Sequence, residues 1–161
     1  MIGMAMRTPV NTSSEVTPTL FDRAAFFSLL NPERGALRHT SDESLLLFAT
    51  LDNLAQIVSD CGIDAGRTAL ADTARTLALS FRLTDPVAQL STNLFAVLAI
   101  SAGRQLAHLL LERMKTSFEI ANMERTEEPA LVIRSGFTFY DPADPTSPEE
   151  LFSEARATLS P

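Results

Sequence analysis

The stretch that decides the fold is Arg82-Leu83-Thr84-Asp85-Pro86-Val87-Ala88-Gln89-Leu90-Ser91-Thr92-Asn93-Leu94-Phe95-Ala96-Val97-Leu98. Two short apolar runs, Pro86–Leu90 and Leu94–Ile100, flank the polar triplet Ser91-Thr92-Asn93. Apolar runs of this length on either side of turn formers read as a β-hairpin. Just ahead of it stand Arg82 and Asp85, and an Asp directly before a proline suits a turn into the first strand.

Working upstream, Ser44–Leu51 (SLLLFATL) is almost wholly apolar, which is the pattern of a strand buried on both faces. A short helix from Asn53 to about Asp60 follows, then a turn over Gly62–Gly66. Arg67–Phe81 reads as a helix, with Leu70, Thr73, Ala74, Leu77 and Phe81 on one side. Further back, a helix begins at Pro18, and Asn31-Pro32-Glu33-Arg34-Gly35 breaks it. Residues 1–15 are rich in Met, Thr, Ser and Pro without a period, and are expected to be disordered.

Downstream of the hairpin, Gly103 opens a long helix to about Ile120. Arg125–Pro129 is a charged loop, and Ala130–Tyr140 (ALVIRSGFTFY) is a strand. Ser147 suits an N-cap, Pro148 the first helical position, and Glu149 and Glu150 the positive end of the dipole. The last helix runs to about Ala157. The order is helix, strand, helix, helix, hairpin, helix, strand, helix. That alternation implies one layered α/β (α+β) domain over residues 16–161.

Composition narrows the function classes. The chain has 161 residues, 45% of them hydrophobic and 20% charged, which is ordinary globular composition. No apolar run approaches the roughly 18 residues of a membrane span. The start, MIGMAMRTPV, is a poor signal peptide. The single cysteine, Cys61, cannot form an intrachain disulfide, so a cytoplasmic location is expected. A net charge of −7 excludes a general nucleic-acid binder, which needs a basic surface. Among the 13 basic residues only Lys115 is a lysine. A few arginines can still form a local anion site, because guanidinium bonds phosphate and stacks on flat rings.

Ordinary enzyme motifs are not evident. His39 and His108 are far apart, and no Cys or carboxylate spacing makes either a metal ligand. Ser135-Gly136 lacks the leading glycine of a nucleophile elbow. The single lysine lies inside a helix and not in a phosphate loop. Asp141 and Asp144 read as turn formers in a proline-rich loop.

The hairpin stretch resembles the heart of a GGDEF domain. In that family an R-x-x-D, five residues, the G-G-[DE]-E-F signature and an apolar strand follow one another. Here the spacing is kept and the signature has become Ser91-Thr92-Asn93-Leu94-Phe95. Other segments fit in order. Thr19–Phe26 is similar to the family's opening L-T-G-L-x-N-R-x-x-F, and Leu46–Asp52 to its metal-binding strand. Gly62–Gly66 is similar to G-H-x-x-G-D, Glu112-Arg113-Met114 to E-R-I, and Ser147–Ala155 to the closing helix. The resemblance covers about residues 17–158.

That resemblance implies a nucleotide-cyclase palm-like central mixed sheet flanked by helices. Active members join two GTP molecules into cyclic di-GMP on metal held by carboxylates. At the family's two main metal positions stand Thr50 and Asn93. Ser91 and Thr92 replace the signature's glycines, and Leu94 its glutamate. Ala55, Val58 and Arg67 stand where the family has lysine, asparagine and aspartate that contact GTP. Neither Thr50 nor Asn93 carries charge, so the expectation is a non-catalytic chain with no catalytic residue, no metal and no cofactor. Asp52 is expected to cap the helix after it.

The resemblance also implies a retained ligand site. Arg82 and Asp85 match the family's inhibitory R-x-x-D, and Arg113 matches a further arginine that helps hold cyclic di-GMP. The chemistry suits that ligand: arginine can fork onto phosphate or a guanine edge, and a carboxylate can accept from guanine N–H groups. The expected function is a cyclic di-GMP receptor in bacterial signalling, with a protein partner or self-association. The alternative is a nucleotide-independent interaction module in signalling or secretion.

Overall fold

The computed structural model of the chain describes residues 19–30, 42–141 and 146–159. The expected disordered segment, the Asn31–Gly35 break, His39 and Asp144 lie outside the described residues. In chain order the elements are α1 (Arg23–Leu29), β1 (Ser44–Leu51), α2 (Leu54–Cys61), α3 (Ile63–Ser80), β2 (Val87–Ser91), β3 (Leu94–Ala99), α4 (Arg104–Glu124), β4 (Ile133–Tyr140) and α5 (Pro148–Ala157). The strands form one sheet in the order β2-β3-β1-β4. All three strand pairings are antiparallel. The parallel part of the sheet is an isolated bridge between Phe21 and Ala88 at the β2 edge.

β1 is central because it is almost wholly apolar on both of its faces. All its residues except Thr50 are buried. Leu45, Leu47, Ala49 and Leu51 enter one core with residues of α2, α3 and α4. Leu46 and Phe48 enter a second core with Phe26 of α1 and Leu151, Phe152 and Ala155 of α5. Helices therefore cover both faces, and each buried Leu or Phe contributes about 1.5–3 kcal/mol.

The structure moves several expected boundaries, each for a physical reason. α1 starts at Arg23 and not Pro18, because Asp22 Oδ1 caps it by accepting from Ala25 N at 2.8 Å. Phe21 instead lies beside β2: its N–H donates to Val87 O, and its carbonyl accepts from Gln89 N, both at 3.0 Å. The expected Gly62–Gly66 turn shrinks to Gly62, whose φ of 96° is a left-handed value that glycine tolerates. Gly66 lies inside α3, where a Cβ would stand 2.6 Å from Val58 Cγ2 of α2.

β4 starts at Ile133 and not Ala130, because two asparagine side chains take the place of a strand partner before it. Asn53 Nδ2 donates to Ala130 O at 2.9 Å, and Asn53 Oδ1 accepts from Val132 N at 3.1 Å. Asn122 Oδ1 accepts from Leu131 N at 2.7 Å, and Asn122 Nδ2 donates to Leu131 O at 3.1 Å. The charged loop also holds a buried charge. Arg125 pairs with Asp72 of α3 and donates from Nε to Pro129 O at 2.8 Å. α5 begins as expected, with Ser147 Oγ accepting from Glu150 N at 3.2 Å.

Two outcomes follow from this packing. A Cβ at Gly136 would stand 2.3 Å from Ala155 O and 2.9 Å from Leu159 N, which are backbone atoms that cannot swing aside. Gly136→Ala should therefore destabilise the domain by about 1–3 kcal/mol or more in urea unfolding. Unchanged stability would mean that α5 does not press on β4.

Tyr140 is the only tyrosine, and its buried hydroxyl has no hydrogen-bond partner among the described residues. Burial, then the charge of Asp141, pushes its pKa above the usual 10.0. The folded state holds that proton more tightly than the unfolded chain does. The resulting stabilisation is complete below pH 10.0 and is lost as pH rises through the folded value. Tyrosinate absorbance should therefore appear above the usual range, and Tyr140→Phe should lessen the alkaline loss of stability. An ordinary titration in the folded protein would contradict this.

Candidate functional site

The turn between α3 and β2 is built around one carboxylate. Asp85 N–H donates to Arg82 O at 2.9 Å and closes the turn. The Asp85 side chain is 2% exposed. Its Oδ1 accepts from Arg82 Nη2 at 3.0 Å and from Ile100 N at 3.1 Å. Its Oδ2 accepts from Arg82 N at 3.1 Å and Arg82 Nε at 3.2 Å. These four donors use the capacity of a carboxylate. The expected contact between Asp85 and guanine N–H groups thus meets an oxygen pair already filled.

Arg82 is the accessible member of the pair, with its side chain 55% exposed. Nη2 also donates to Ile100 O. One edge of the guanidinium is thereby fixed to the protein, leaving the rest turned toward solvent. Arg113 of α4 is exposed and donates from Nε to Ser80 O at 3.1 Å, at the last residue of α3. A cation there is favourable beside the negative end of the helix dipole. The structure thus brings Arg113 to a residue two positions before Arg82, although 31 residues separate them in sequence.

Beside the turn lies a cavity of about 430 Å³, with Thr19, Phe21, Ala78, Arg82 and Pro86 in its wall. Leu83 at the tip of the turn is fully exposed. Sequence reasoning missed Ile100, whose backbone holds both Asp85 and Arg82. A backbone partner 15 residues away leaves no mark in side-chain type. It also missed Thr19 and Phe21, which reach this wall only because Phe21 bridges to β2.

The five residues at the signature position form the β2–β3 turn and the start of β3. Ser91 and Thr92 are exposed, and Phe95 is buried. Asn93 is tied to the end of β1: its Nδ2 donates to Leu51 O, and its carbonyl accepts from Leu51 N, both at 3.0 Å. Leu94 faces Thr50 across the β1–β3 pair. Thr50 is thus in register with the residue after Asn93, and Asn93 itself bonds Leu51, the residue after Thr50. Asp52 is no helix cap. Asn53 is the cap residue of α2, and Asp52 Oδ1 accepts from Arg134 Nε at 3.1 Å.

Of Thr50, Asn93 and Asp52, only Asp52 is a carboxylate, and Arg134 holds it. No cluster of three or more His, Cys, Asp or Glu that could hold a metal occurs among the described residues. This donor set does not match a hard divalent cation, which favours several carboxylate oxygens. Ala55 and Arg67 are exposed on α2 and α3, and Val58 packs against Gly66. His108 is exposed on α4.

The family model of the diguanylate cyclase GGDEF domain matches residues 16–160. Several solved structures share the fold. The diguanylate cyclase SiaD from Pseudomonas aeruginosa, solved with its activator SiaC, is 19% identical with a TM-score of 0.74. The match covers 89% of this chain and 55% of that one, so this chain spans about half the length of SiaD. The GGDEF domain of TpbB, or YfiN, from Pseudomonas aeruginosa is 23% identical with a TM-score of 0.74, over 89% of this chain and 84% of that chain. The GGDEF domain of DgcB from Caulobacter crescentus, solved with c-di-GMP, is 16% identical with a TM-score of 0.72, over 91% and 90%. No curated protein matches the chain.

The matched family is described as a cyclase, which overturns the expectation, drawn from Thr50 and Asn93, that the chain is no enzyme. With the antiparallel sheet, its five helices and a match over residues 16–160, the chain belongs to the GGDEF family of diguanylate cyclase domains.

Proposed function

We propose that the chain is a cytoplasmic cyclic di-GMP receptor whose ligand binds at the Arg82–Asp85 turn. One observation carries the reading. A guanidinium more than half exposed is held in a single orientation by a buried carboxylate, beside a cavity and a second arginine. Preorganisation of this kind favours binding, because the side-chain ordering is done before the ligand arrives.

In this reading Arg82 bonds a phosphate or a guanine edge through the guanidinium positions that Asp85 leaves free. Asp85 orients Arg82, and direct contact between Asp85 and guanine would require Arg82 to release one of its bonds. Arg113 supplies a second cation that stacks on or bonds the other half of the ligand. Fully exposed Leu83 offers an apolar surface next to the bases. The DgcB domain, solved with c-di-GMP, is a fold relative for which this ligand is recorded.

Calorimetric titration with cyclic di-GMP tests the reading, with GMP as the control. Binding at about tens of micromolar or tighter is expected. Arg82→Ala should weaken it about ten- to hundredfold, the usual worth of hydrogen bonds to a charged group. Arg113→Ala should weaken it several-fold and lower the melting temperature by no more than about a few degrees, since it removes one part-buried hydrogen bond, worth about 1 kcal/mol. Absence of heat with the folded wild-type protein would sink the proposal and favour the nucleotide-independent interaction module. Binding that survives Arg82→Ala would move the site elsewhere.

A further inference from the structure

β3 ends in a tight turn over Ala99-Ile100-Ser101-Ala102, closed by Ala102 N–H donating to Ala99 O at 3.2 Å. Ser101 has a φ of 61°, and among the described residues it is the one non-glycine with a positive φ. A negative φ at the second turn residue and a positive φ at the third is the pattern of a type II turn. The third position favours glycine or asparagine, so a serine there is held at some cost in strain.

The central peptide of this turn shows what the strain secures. Turns of types I and II differ by a flip of the peptide between the two central residues. The left-handed Ser101 therefore decides which way the Ile100 carbonyl and the Ser101 N–H point. Ile100 O accepts from Arg82 Nη2. Ser101 N–H, on the opposite side of the same trans peptide, donates at 2.9 Å to Ser44 Oγ, and Ser44 is fully buried at the start of β1. A flip would turn the Ser101 N–H toward Arg82 Nη2, donor against donor. The Ile100 N–H belongs to the preceding peptide and would stay on Asp85 Oδ1. The turn thus acts on the arginine and not on the carboxylate.

We propose that Ser101 and Ser44 are positioning residues for the Arg82 site. The left-handed turn at Ser101, locked by the buried Ser44 hydroxyl, aims the Ile100 carbonyl, and that carbonyl sets the edge of the guanidinium offered to a ligand. Arg82 meets Asp85 and Ile100 through Nε and Nη2, so Nη1 is the nitrogen presented. The consequence for binding rests on the reading of Arg82 as a cyclic di-GMP contact, whereas the consequence for the orientation of Arg82 does not.

Two substitutions at one position test this by opposite means. Ser101→Thr keeps a hydroxyl but is β-branched and resists a positive φ, while Ser101→Gly loses the hydroxyl and accepts that φ. The order of Arg82 is read from the heteronuclear NOE of its Nε–H in the whole chain without ligand, and affinity from calorimetry with cyclic di-GMP well below the melting temperature. Ser101→Thr should lower the Arg82 NOE while the Ile100 amide stays protected from exchange. It should weaken binding about two- to tenfold, which is what ordering one long side chain costs. Ser101→Gly should keep the NOE and bind within about twofold of the wild type. Ser44→Ala removes the acceptor of the Ser101 N–H and should move Arg82 in the same direction as Ser101→Thr. A merely structural role would lower the melting temperature and leave the dissociation constant and the NOE unchanged, which would overturn the proposal. It is also overturned if Ser101→Gly does the damage and Ser101→Thr does none, since the hydroxyl and not the turn would then matter. If the wild type takes up no cyclic di-GMP, the ligand reading of Arg82 fails, and the difference in Arg82 order between the variants still decides the positioning.

Discussion

A carboxylate that is 2% exposed has to find donors inside the fold, and the four that Asp85 finds organise one end of the molecule. Arg82 N fixes the start of the turn after α3. Ile100 N fixes the end of β3. The side chain of Arg82 is drawn in from solvent on one edge only. Leu98 N–H donates to Pro86 O at 3.0 Å and closes the base of the hairpin beside these bonds. Stability and ligand presentation therefore share the same atoms. A side chain that shapes the turn is also the one that aims an arginine.

The sheet gives its two edges different roles. At the β2 edge, Phe21 adds backbone bonds to Val87 and Gln89 and brings the start of the described chain next to the Arg82 cavity. At the β4 edge, the Thr158 hydroxyl bonds the backbone N–H and carbonyl of Phe137 and ties the end of α5 to the strand. Between them β1 is buried on both faces, so neither edge can slip in register without exposing leucines.

What was legible in the sequence was what side-chain type encodes locally. The almost wholly apolar run Ser44–Leu51 reads as a doubly covered strand, and its limits match β1. The hairpin and the α5 cap were equally plain, because turn formers and an N-cap serine act within a few residues. Tertiary partners were not legible. Asn53 reads as the start of a helix and in fact clamps Ala130 and Val132, and Asn122, which carries no sequence signal, clamps Leu131. Gly66 reads as a turn and is a contact between helices. Asp52 reads as a cap and is paired across 82 residues with Arg134. At the candidate site, the spacing of Arg82 and Asp85 drew attention to the turn, but the burial of Asp85 depends on Ile100 and could not be read from either residue.

The most direct test of the central claim follows the arginine Nε–H signals of the folded protein as cyclic di-GMP is added. The account predicts that Arg82 and Arg113 shift together and saturably while the Asn93 side-chain amide stays in place. A shift at Asn93 and its neighbours, with Arg82 unmoved, would contradict it and place the ligand on the β2–β3 turn.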